Sequence, residues 1–302
     1  MSGHDEDTAR LSARLREMAL ACATRPGTFA VAGGALAFHR IEAGNAVCSL
    51  YRPHVALIVQ GSRESVVGGT RFDCGAGSCV IAGMDMPGES RVVGATPARP
   101  FLAASMALDR GLVAQLAAEL PQPQRQEPGE AGGFCVLEAG ERLVSAFLRL
   151  AALENEPEAI PILAPMLARE ICCRLLLGPR GAWLRSLCAE GGRRARIAKA
   201  VSWLRQNYRE PLHVEELARR VGMSSSNFFR NFRLVTGTSP LQFQKVMRLY
   251  EAQRLMLSGT LDVAEAAYAV GYESSTQFIR EYKRLFGEPP HRDIIRRRVE
   301  LR

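Results

Sequence analysis

At 302 residues, with 47% apolar and 23% charged residues and a net charge of +8, the chain has a globular composition with room for two domains, each able to bury its own core. No run of roughly 18 or more apolar residues occurs, which excludes a membrane-spanning helix. Met1-Ser2-Gly3-His4-Asp5-Glu6-Asp7 is polar and acidic, not the basic-then-apolar order of an export signal, so the expected location is cytoplasmic.

The charge is unevenly spread: residues 193–302 hold 21 Lys/Arg against 11 Asp/Glu, and residues 1–192 hold 18 against 20. A basic block joined to a near-neutral one suits a polyanionic partner. The eight cysteines (Cys22, Cys48, Cys74, Cys79, Cys135, Cys172, Cys173 and Cys188) form no CxxC pair and have no histidine at zinc-ligand spacing. They are expected as reduced, mostly buried thiols, with no metal and no cofactor.

In chain order, Leu11–Ala23 has helical periodicity and is expected to pack on the domain C-terminal to it. From about Thr28 to Leu108 the texture changes to short apolar runs cut by glycine. Val55–Val59 ends at Gln60-Gly61, Glu64–Val67 at Gly68-Gly69, and Ser78–Ala82 at Gly83. Such runs at regular spacing read as a sandwich or a small barrel. Pro121–Gly129 is polar and proline-rich and reads as an exposed loop. Helical periodicity returns over Glu138–Leu187, with one stripe at Leu143, Phe147, Leu150 and Ala151 and another at Leu163, Met166, Leu167, Ile171, Leu175 and Leu176. The second stripe fits either core or a dimer seam. Gly191-Gly192-Arg193-Arg194 marks a hinge where the charge balance changes.

The last hundred residues repeat. Phe228/Phe278, Arg230/Arg280, Phe232/Tyr282, Arg233/Lys283, Gly237/Gly287 and Pro240/Pro290 are each 50 apart, while Gly222/Gly271 are 49 apart. The second turn is therefore one residue longer. Each copy reads as helix, tight turn, helix. Val214, Leu217, Ala218 and Val221 give the first inner face, Gly222 ends that helix, and Ser224 is placed to cap the next. In the second copy Asp262 with Glu265 forms a capping box, Gly271 ends the helix, and Ser274 with Gln277 forms another box. Two short helices about a glycine turn are the helix-turn-helix signature.

The second helix of such a unit enters the DNA major groove and offers its outer, N-terminal residues to base edges. Those residues are Ser226, Asn227, Phe229, Arg230 and Arg233, then Ser275, Thr276, Gln277, Ile279, Arg280 and Lys283. Arg230 and Arg280 suit a bidentate contact to guanine, and Arg233 and Lys283 suit phosphate. Phe229 and Ile279 either touch thymine methyls or are packed. Between the copies, a helix from Pro240 to Leu257, stopped by Gly259, is expected as a rigid spacer.

These residues resemble the DNA-binding domain of the AraC/XylS family of bacterial transcription regulators. The match covers about 195–296 and is closest over Gly271–Pro290. It implies sequence-specific promoter binding, commonly with activation through RNA polymerase, and places base-reading sites on Ser226, Phe229, Arg230, Thr276, Ile279 and Arg280. His213 stands where the family usually has a Ser or Thr cap. Leu50-Tyr51-Arg52-Pro53, Ala56–Gly61 and Ala82–Pro87 resemble the N-terminal domain of one branch of that family, implying a cupin-like barrel that binds a small-molecule effector or assists dimerisation. Leu167–Ile171 and Leu177–Ala182 are similar to the same branch.

The resulting expectation is an α+β multidomain chain that is not an enzyme. It has a cupin-like β-barrel with flanking helices (1–133), a helical connector or dimerisation segment (134–190) and an all-α domain of two helix-turn-helix units joined by a long helix (191–302). It acts as a homodimer. His39, Arg52, His54 and Gln60 are the candidate effector contacts, as polar residues in apolar surroundings. Three alternatives make their own demands on the sequence. A metal-dependent cupin enzyme needs an HxH, absent among His4, His39 and His54; an alkyl-acceptor protein needs a four-cysteine cluster; a thiol sensor needs an exposed cysteine near basic residues, with Cys48, Cys74 and Cys79 as candidates.

Overall fold

The computed structural model describes residues 3–44, 46–121, 132–188 and 191–300. The first half is built on two antiparallel sheets. Strands β1 (Gly27–Val31), β2 (Leu36–Ile41), β3 (Ala46–Tyr51), β4 (His54–Gln60), β5 (Ser62–Val67), β6 (Thr70–Gly75), β7 (Ser78–Ala82), β8 (Met86–Val93), β9 (Phe101–Ala107) and β10 (Phe134–Glu138) divide between them. Six form one sheet in the order β1-β2-β9-β4-β7-β10, and four form the other in the order β3-β8-β5-β6. Among the described residues no ladder closes the two into a barrel, so the cupin-like domain is an open two-sheet body.

The six-stranded sheet is covered on both faces, which explains why Val55–Val59 reads as an unbroken apolar run. Val55 and Leu57 face a core shared with α1 (Gly3–Cys22), α2 (Arg110–Glu119), α3 (Glu141–Ala152), α4 (Ile160–Leu177) and α5 (Gly181–Cys188). Ala56 and Ile58 face the four-stranded sheet. The latter has a solvent side, so β5 alternates: Ser65 and Val67 are buried while Val66 is exposed. Phe134–Glu138, expected to open the helical connector, instead pairs with β7 as an edge strand, because Phe134 and Cys135 fill the two cores on either side of the sheet. The loop expected at Pro121–Gly129 lies, beyond Pro121, outside the described residues.

The second half is helical: α6 (Arg193–Gln206), α7 (Val214–Arg220), α8 (Ser225–Thr236), α9 (Pro240–Leu257), α10 (Val263–Ala269), α11 (Ser275–Phe286) and α12 (Pro290–Glu300). α9 spans the length expected of the spacer, with Pro240 in its first turn and Ser239 accepting from the Gln242 amide. Its first half packs Phe243 and Met247 with α6, α7 and α8, and its second half packs Leu249, Ala252 and Met256 with α10, α11 and α12. The first of these cores does not stop at the domain boundary. It runs from Phe228, Phe232 and Val235 through Ile197 and Val201 to Met84, Met86, Tyr51 and Phe134 between the sheets. No helix among the described residues is long and apolar enough to cross a membrane.

Candidate nucleic-acid interface and ligand site

The two helix-turn-helix units are alike in their inner faces and differ at their caps. Phe228 and Phe232 are fully buried in α8, as are Phe278 and Tyr282 in α11. Gly237 and Gly287 end these helices with φ of 77° and 85°, a left-handed conformation that glycine adopts without strain. The Asp262–Glu265 capping box is formed in both directions. His213 makes no side-chain cap, as its departure from Ser or Thr implies. Ser224 also makes none, although it occupies the N-cap position with extended backbone. Ser274 accepts from the Gln277 amide, but the Gln277 side chain turns to Glu281 (3.2 Å), leaving half a box.

On the outer faces, Ser226, Phe229, Arg230 and Arg233 of α8 are exposed and Asn227 is half-buried. On α11, Thr276, Gln277, Ile279, Arg280 and Lys283 are exposed and Ser275 is half-buried. Phe229 and Ile279, at 46% and 39% exposure, stand in solvent and are not packed. Arg230 donates to Asn227 Oδ1 (3.2 Å), so its guanidinium is already oriented along the helix. Among the described residues Arg233, Arg280 and Lys283 have no acidic partner.

What holds the second reading helix is a polar bracket. Glu281 accepts from Lys245 Nζ of α9 (2.7 Å) and from Tyr272 Oη (2.8 Å). Behind it, fully buried Asp293 accepts from Tyr282 Oη and Gln253 Nε2 (both 2.6 Å) and from Arg297 (2.7 Å). Arg248 is not legible as special within its amphipathic helix. Its guanidinium donates to the carbonyls of Tyr208 (2.6 Å), Gly271 (2.8 Å), Arg209 (2.9 Å) and Glu210 (3.1 Å). It ties the loop after α6 to the turn of the second unit.

The expected effector residues do not come together. His39 and His54 stand on the face of the six-stranded sheet that looks toward the other sheet, while Gln60, beyond the irregularity after Ile58, pairs with Leu102 of the helix-side core. His39 bridges Thr28 Oγ1 (2.9 Å) and Ser105 Oγ (2.6 Å), His54 bonds the Arg52 carbonyl (2.7 Å) and stacks on Tyr51 (5.8 Å), and Gln60 donates to the Pro100 carbonyl (2.8 Å). Burial, reinforced by Arg63, pushes His39 down to about 4; burial likewise lowers His54. Both imidazoles are neutral at pH 7.

Arg52 stands apart. It lines a cleft of about 610 Å³ between the halves, with Arg205, Tyr208, Tyr250, Arg254 and Arg297. Nearby, buried Asp85 faces Arg205 at 3.8 Å, and its other oxygen has no partner. Burial raises the Asp85 carboxyl against the opposing pull of Arg205 and Arg52. A second cavity of about 180 Å³ lies where Val67, Phe72, Met86 and Phe134 meet Leu234 and Val235 of α8.

Arg63 does not stand out in the sequence. It shares the inner face of β5 with Ser65 and Val67, opposite Cys74 on β6 and Val92 on β8. Its guanidinium lies 5.8 Å from the Tyr51 ring centre and 5.9 Å from that of Phe101, one ring from each sheet. Nε and one Nη are enclosed without a hydrogen-bond partner. The strand alternation at Ser62–Val67 is the signal that could have found it.

The candidate sensor thiols are the reverse of activated. Burial raises Cys48 and Cys74 and pushes Cys79 up to about 12, and the Cys48 thiol donates to the Leu285 carbonyl (3.3 Å). Among the described residues no group of three His, Cys, Asp or Glu is placed to hold a metal ion.

Comparison with known proteins supplies the family. A family model for the AraC-type transcriptional regulator N-terminus matches residues 34–183, and a helix-turn-helix domain model matches residues 217–294. The virulence regulon transcriptional activator VirF of Yersinia enterocolitica is 25% identical over 148 residues, 49% of this chain and 54% of that protein. The HTH-type transcriptional regulator GlxA of Rhizobium meliloti (strain 1021) is 38% identical over 80 residues, 26% of this chain and 25% of that protein. The chain thus spans about half or less of the length of these curated relatives. Among solved structures, unsaturated-fatty-acid-bound wild-type ToxT from Vibrio cholerae strain SCE256 superposes with a TM-score of 0.57 at 9% identity, covering 86% of this chain and 94% of that one. ToxT from Vibrio cholerae O395 gives 0.57 at 9% identity, covering 86% and 96%. At that identity the likeness is one of fold.

Proposed function

Since the chain belongs to the AraC-type transcriptional regulators, we propose that it binds promoter DNA sequence-specifically through α8 and α11 and is switched by a small molecule held in its N-terminal half. The observation that carries this reading is the matched pair of exposed faces. Arg230 with Arg233, and Arg280 with Lys283, project from helices whose opposite faces are locked by buried aromatics. Helices so placed fit successive major-groove segments about 34 Å apart. Ser226, Asn227, Phe229, Arg230, Thr276, Gln277, Ile279 and Arg280 read base edges; Ser275, Arg233 and Lys283 position the protein on the backbone.

The division of labour that fits is effector binding in residues 1–133 completed by β10, connection and dimerisation in 134–190, and DNA binding in 191–302. His39 and His54 belong to the effector site between the sheets, with Gln60 bonded to the Pro100 carbonyl at its edge; Arg52 belongs to the cleft between the halves, where a change in N-terminal shape is felt. ToxT bound to an unsaturated fatty acid is a precedent in the same fold for a small-molecule-bound state. A homodimer forms through α4, which leaves Ile162, Met166 and Leu177 at least 61% exposed. Contact with RNA polymerase completes an activator.

Genome-wide mapping of bound sites tests the reading. Wild-type protein is expected on a bounded set of promoters sharing one motif, and the Arg230→Ala/Arg280→Ala protein is expected to lose that set while staying folded. Full-length wild-type protein without preference for any duplex sequence at moderate salt ends the reading.

A further inference from the structure

We infer that the two reading helices carry opposite hydrogen-bonding polarity at matching positions: Asn227 offers DNA a donor and Gln277 offers it an acceptor, with Asn231 and Glu281 as the positioning residues that set this. The inference rests on the promoter-binding reading and adds to it the kind of base edge that each helix accepts.

Asn227 and Gln277 are 50 residues apart, the spacing of the repeat, and so are Asn231 and Glu281. Asn227 and Gln277 are each the third residue of their helix, and the partner stands one turn on, at i+4, on the same helix face. A carboxamide carries a donor and an acceptor on one carbon, so the atom bonded inward decides which is left over. In α8 that choice is made by groups that act in only one way. Asn231, 2% exposed, donates from Nδ2 to the Asn227 backbone carbonyl (2.7 Å), which only accepts. The same Nδ2 lies 2.6 Å from the Asn227 side chain, which therefore turns its Oδ1 inward. Arg230, a donor in every state, reaches that oxygen too, at 3.2 Å. Asn227 Nδ2 is left without a partner among the described residues.

In α11 the partner is a carboxylate. Burial raises Glu281, but hydrogen bonds from Lys245, Tyr272 and Gln277 outweigh it and hold the carboxyl below its ordinary range, so Glu281 is ionised and only accepts. Lys245 and Tyr272 engage it from outside the helix, at 2.7 and 2.8 Å, which keeps it from turning away. Gln277 accordingly meets it with Nε2 (3.2 Å). Gln277 Oε1 is the atom left over, again without a partner among the described residues.

In the major groove adenine and cytosine present an amino donor, while guanine and thymine present acceptors only. Gln277 Oε1 therefore accepts from adenine N6 or cytosine N4 and has nothing to offer guanine or thymine. Asn227 Nδ2 donates to guanine O6 or N7, thymine O4 or adenine N7, and has nothing to offer cytosine. A chain with two similar reading helices is open to binding one groove segment out of place. Opposite polarity penalises that slip, because each helix then meets a base edge of the wrong kind.

Binding-site selection with the full chain, from duplexes randomised through both groove segments, tests this with two matched substitutions. Gln277→Glu and Asn227→Asp each replace a carboxamide by a group that only accepts, add one negative charge toward the DNA, and sit in the first turn of a helix, where an acid is favoured. Both are expected to weaken binding overall, so the choice of base is what separates them. Gln277→Ala locates the base that Gln277 reads, expected to be adenine or cytosine. Exchange of that base for its analogue without the amino group is expected to weaken wild type and Gln277→Glu at least about fivefold and Gln277→Ala not at all. Asn227→Asp is expected to change one position of the first segment, from excluding cytosine to accepting it. Glu281→Gln is expected to lower the preference at the Gln277 position at least about threefold and to leave the rest of its segment as it is, whereas a purely structural role relaxes the whole segment. With a motif present, the inference is overturned by any of four results: Gln277→Glu as indifferent to the amino group as Gln277→Ala, a wild type indifferent to it, an Asn227→Asp selection unchanged from wild type, or relaxation of the whole second segment in Glu281→Gln. A wild-type protein without preference at any position overturns the promoter-binding reading itself, and this inference with it.

Discussion

Gly237, the cap of the first reading helix, meets Gly68, the tip of the β5–β6 hairpin, backbone against backbone: a β-carbon on Gly237 would stand 2.2 Å from the Gly68 carbonyl oxygen. Its counterpart Gly287, 50 residues on, has the same left-handed backbone with nothing within 4 Å of where a β-carbon would go. The pair separates conformational strain from contact between the halves. Gly287→Ala is expected to cost about 1 kcal/mol from backbone strain alone. Gly237→Ala is expected to cost at least about 1–2 kcal/mol more, because the hairpin must move away. Urea unfolding of the two variants checks this; equal losses mean that the contact contributes nothing.

Arg280→Ala is expected to lose about 1–3 kcal/mol at one base position and relax specificity there. Lys283→Ala is expected to weaken all sequences alike and lower the salt slope by about one unit. Asn227→Ala should act like a mild Arg230 variant, since it removes the 3.2 Å tether that orients that guanidinium. Binding-site selection at two salt concentrations distinguishes these effects.

Most of this half was legible in the sequence, and the reason is locality. Fifty-residue repetition, glycine stops and aromatic pairs four apart are all read within one or two turns of helix. The longer second turn was legible too: four residues separate α7 from α8 and five separate α10 from α11. The Ser224 cap was not, because a suitable residue at the right position does not oblige its hydroxyl to turn inward.

The N-terminal half gave up its strands but not its closure, since pairings such as β3 with β8 or β7 with β10 join segments dozens of residues apart. Arg63 was hidden for the same reason. Flanked by Ser62, Glu64 and Ser65 it looks solvated; alternation with Val67 hints at an inward position, and the register that pairs it with Cys74 and Val92 establishes it.

Arg248 predicts a geometric phenotype. Arg248→Lys keeps the charge and loses the fork that reaches four carbonyls, which is expected to cost about 2–3 kcal/mol and loosen the angle between α8 and α11. Wild-type protein should reject an operator with one added base pair between its two segments more strongly than the variant does. Equal rejection by both would assign the angle to the α9 packing alone.

Acid should weaken the N-terminal half through His39. Its folded value of about 4 lies below the ordinary 6.5, so between those limits the unfolded chain binds a proton that the folded chain does not. Stability therefore falls as pH falls through this window, by up to about 1.4 kcal/mol per pH unit from this one group. His39→Gln removes the contribution, and its urea midpoint should shift less than the wild-type midpoint between pH 6.5 and pH 4.5.

The α4 face gives a prediction about assembly. Met166→Asp, at a position 62% exposed, leaves the core untouched and is expected to shift a dimer toward monomer in sedimentation equilibrium. A wild-type monomer at all concentrations would remove the dimer proposal.

The route of the apolar core through α9 also bears on how the chain comes apart. The covalent hinge sits at Gly191-Gly192, yet the apolar core of the first reading unit is continuous with the sheets, while the apolar core of the second is made by helices α9 to α12 and this unit meets the sheets through polar contacts such as Cys48 to the Leu285 carbonyl. Cooperative units follow packing and not composition. Hydrogen exchange should accordingly find the thermodynamic seam near Arg248, inside the DNA-binding half: the second unit opens by itself, while the first opens together with the sensor. Cutting the gene at the hinge would thus bare the flank of one reading unit and leave the other whole.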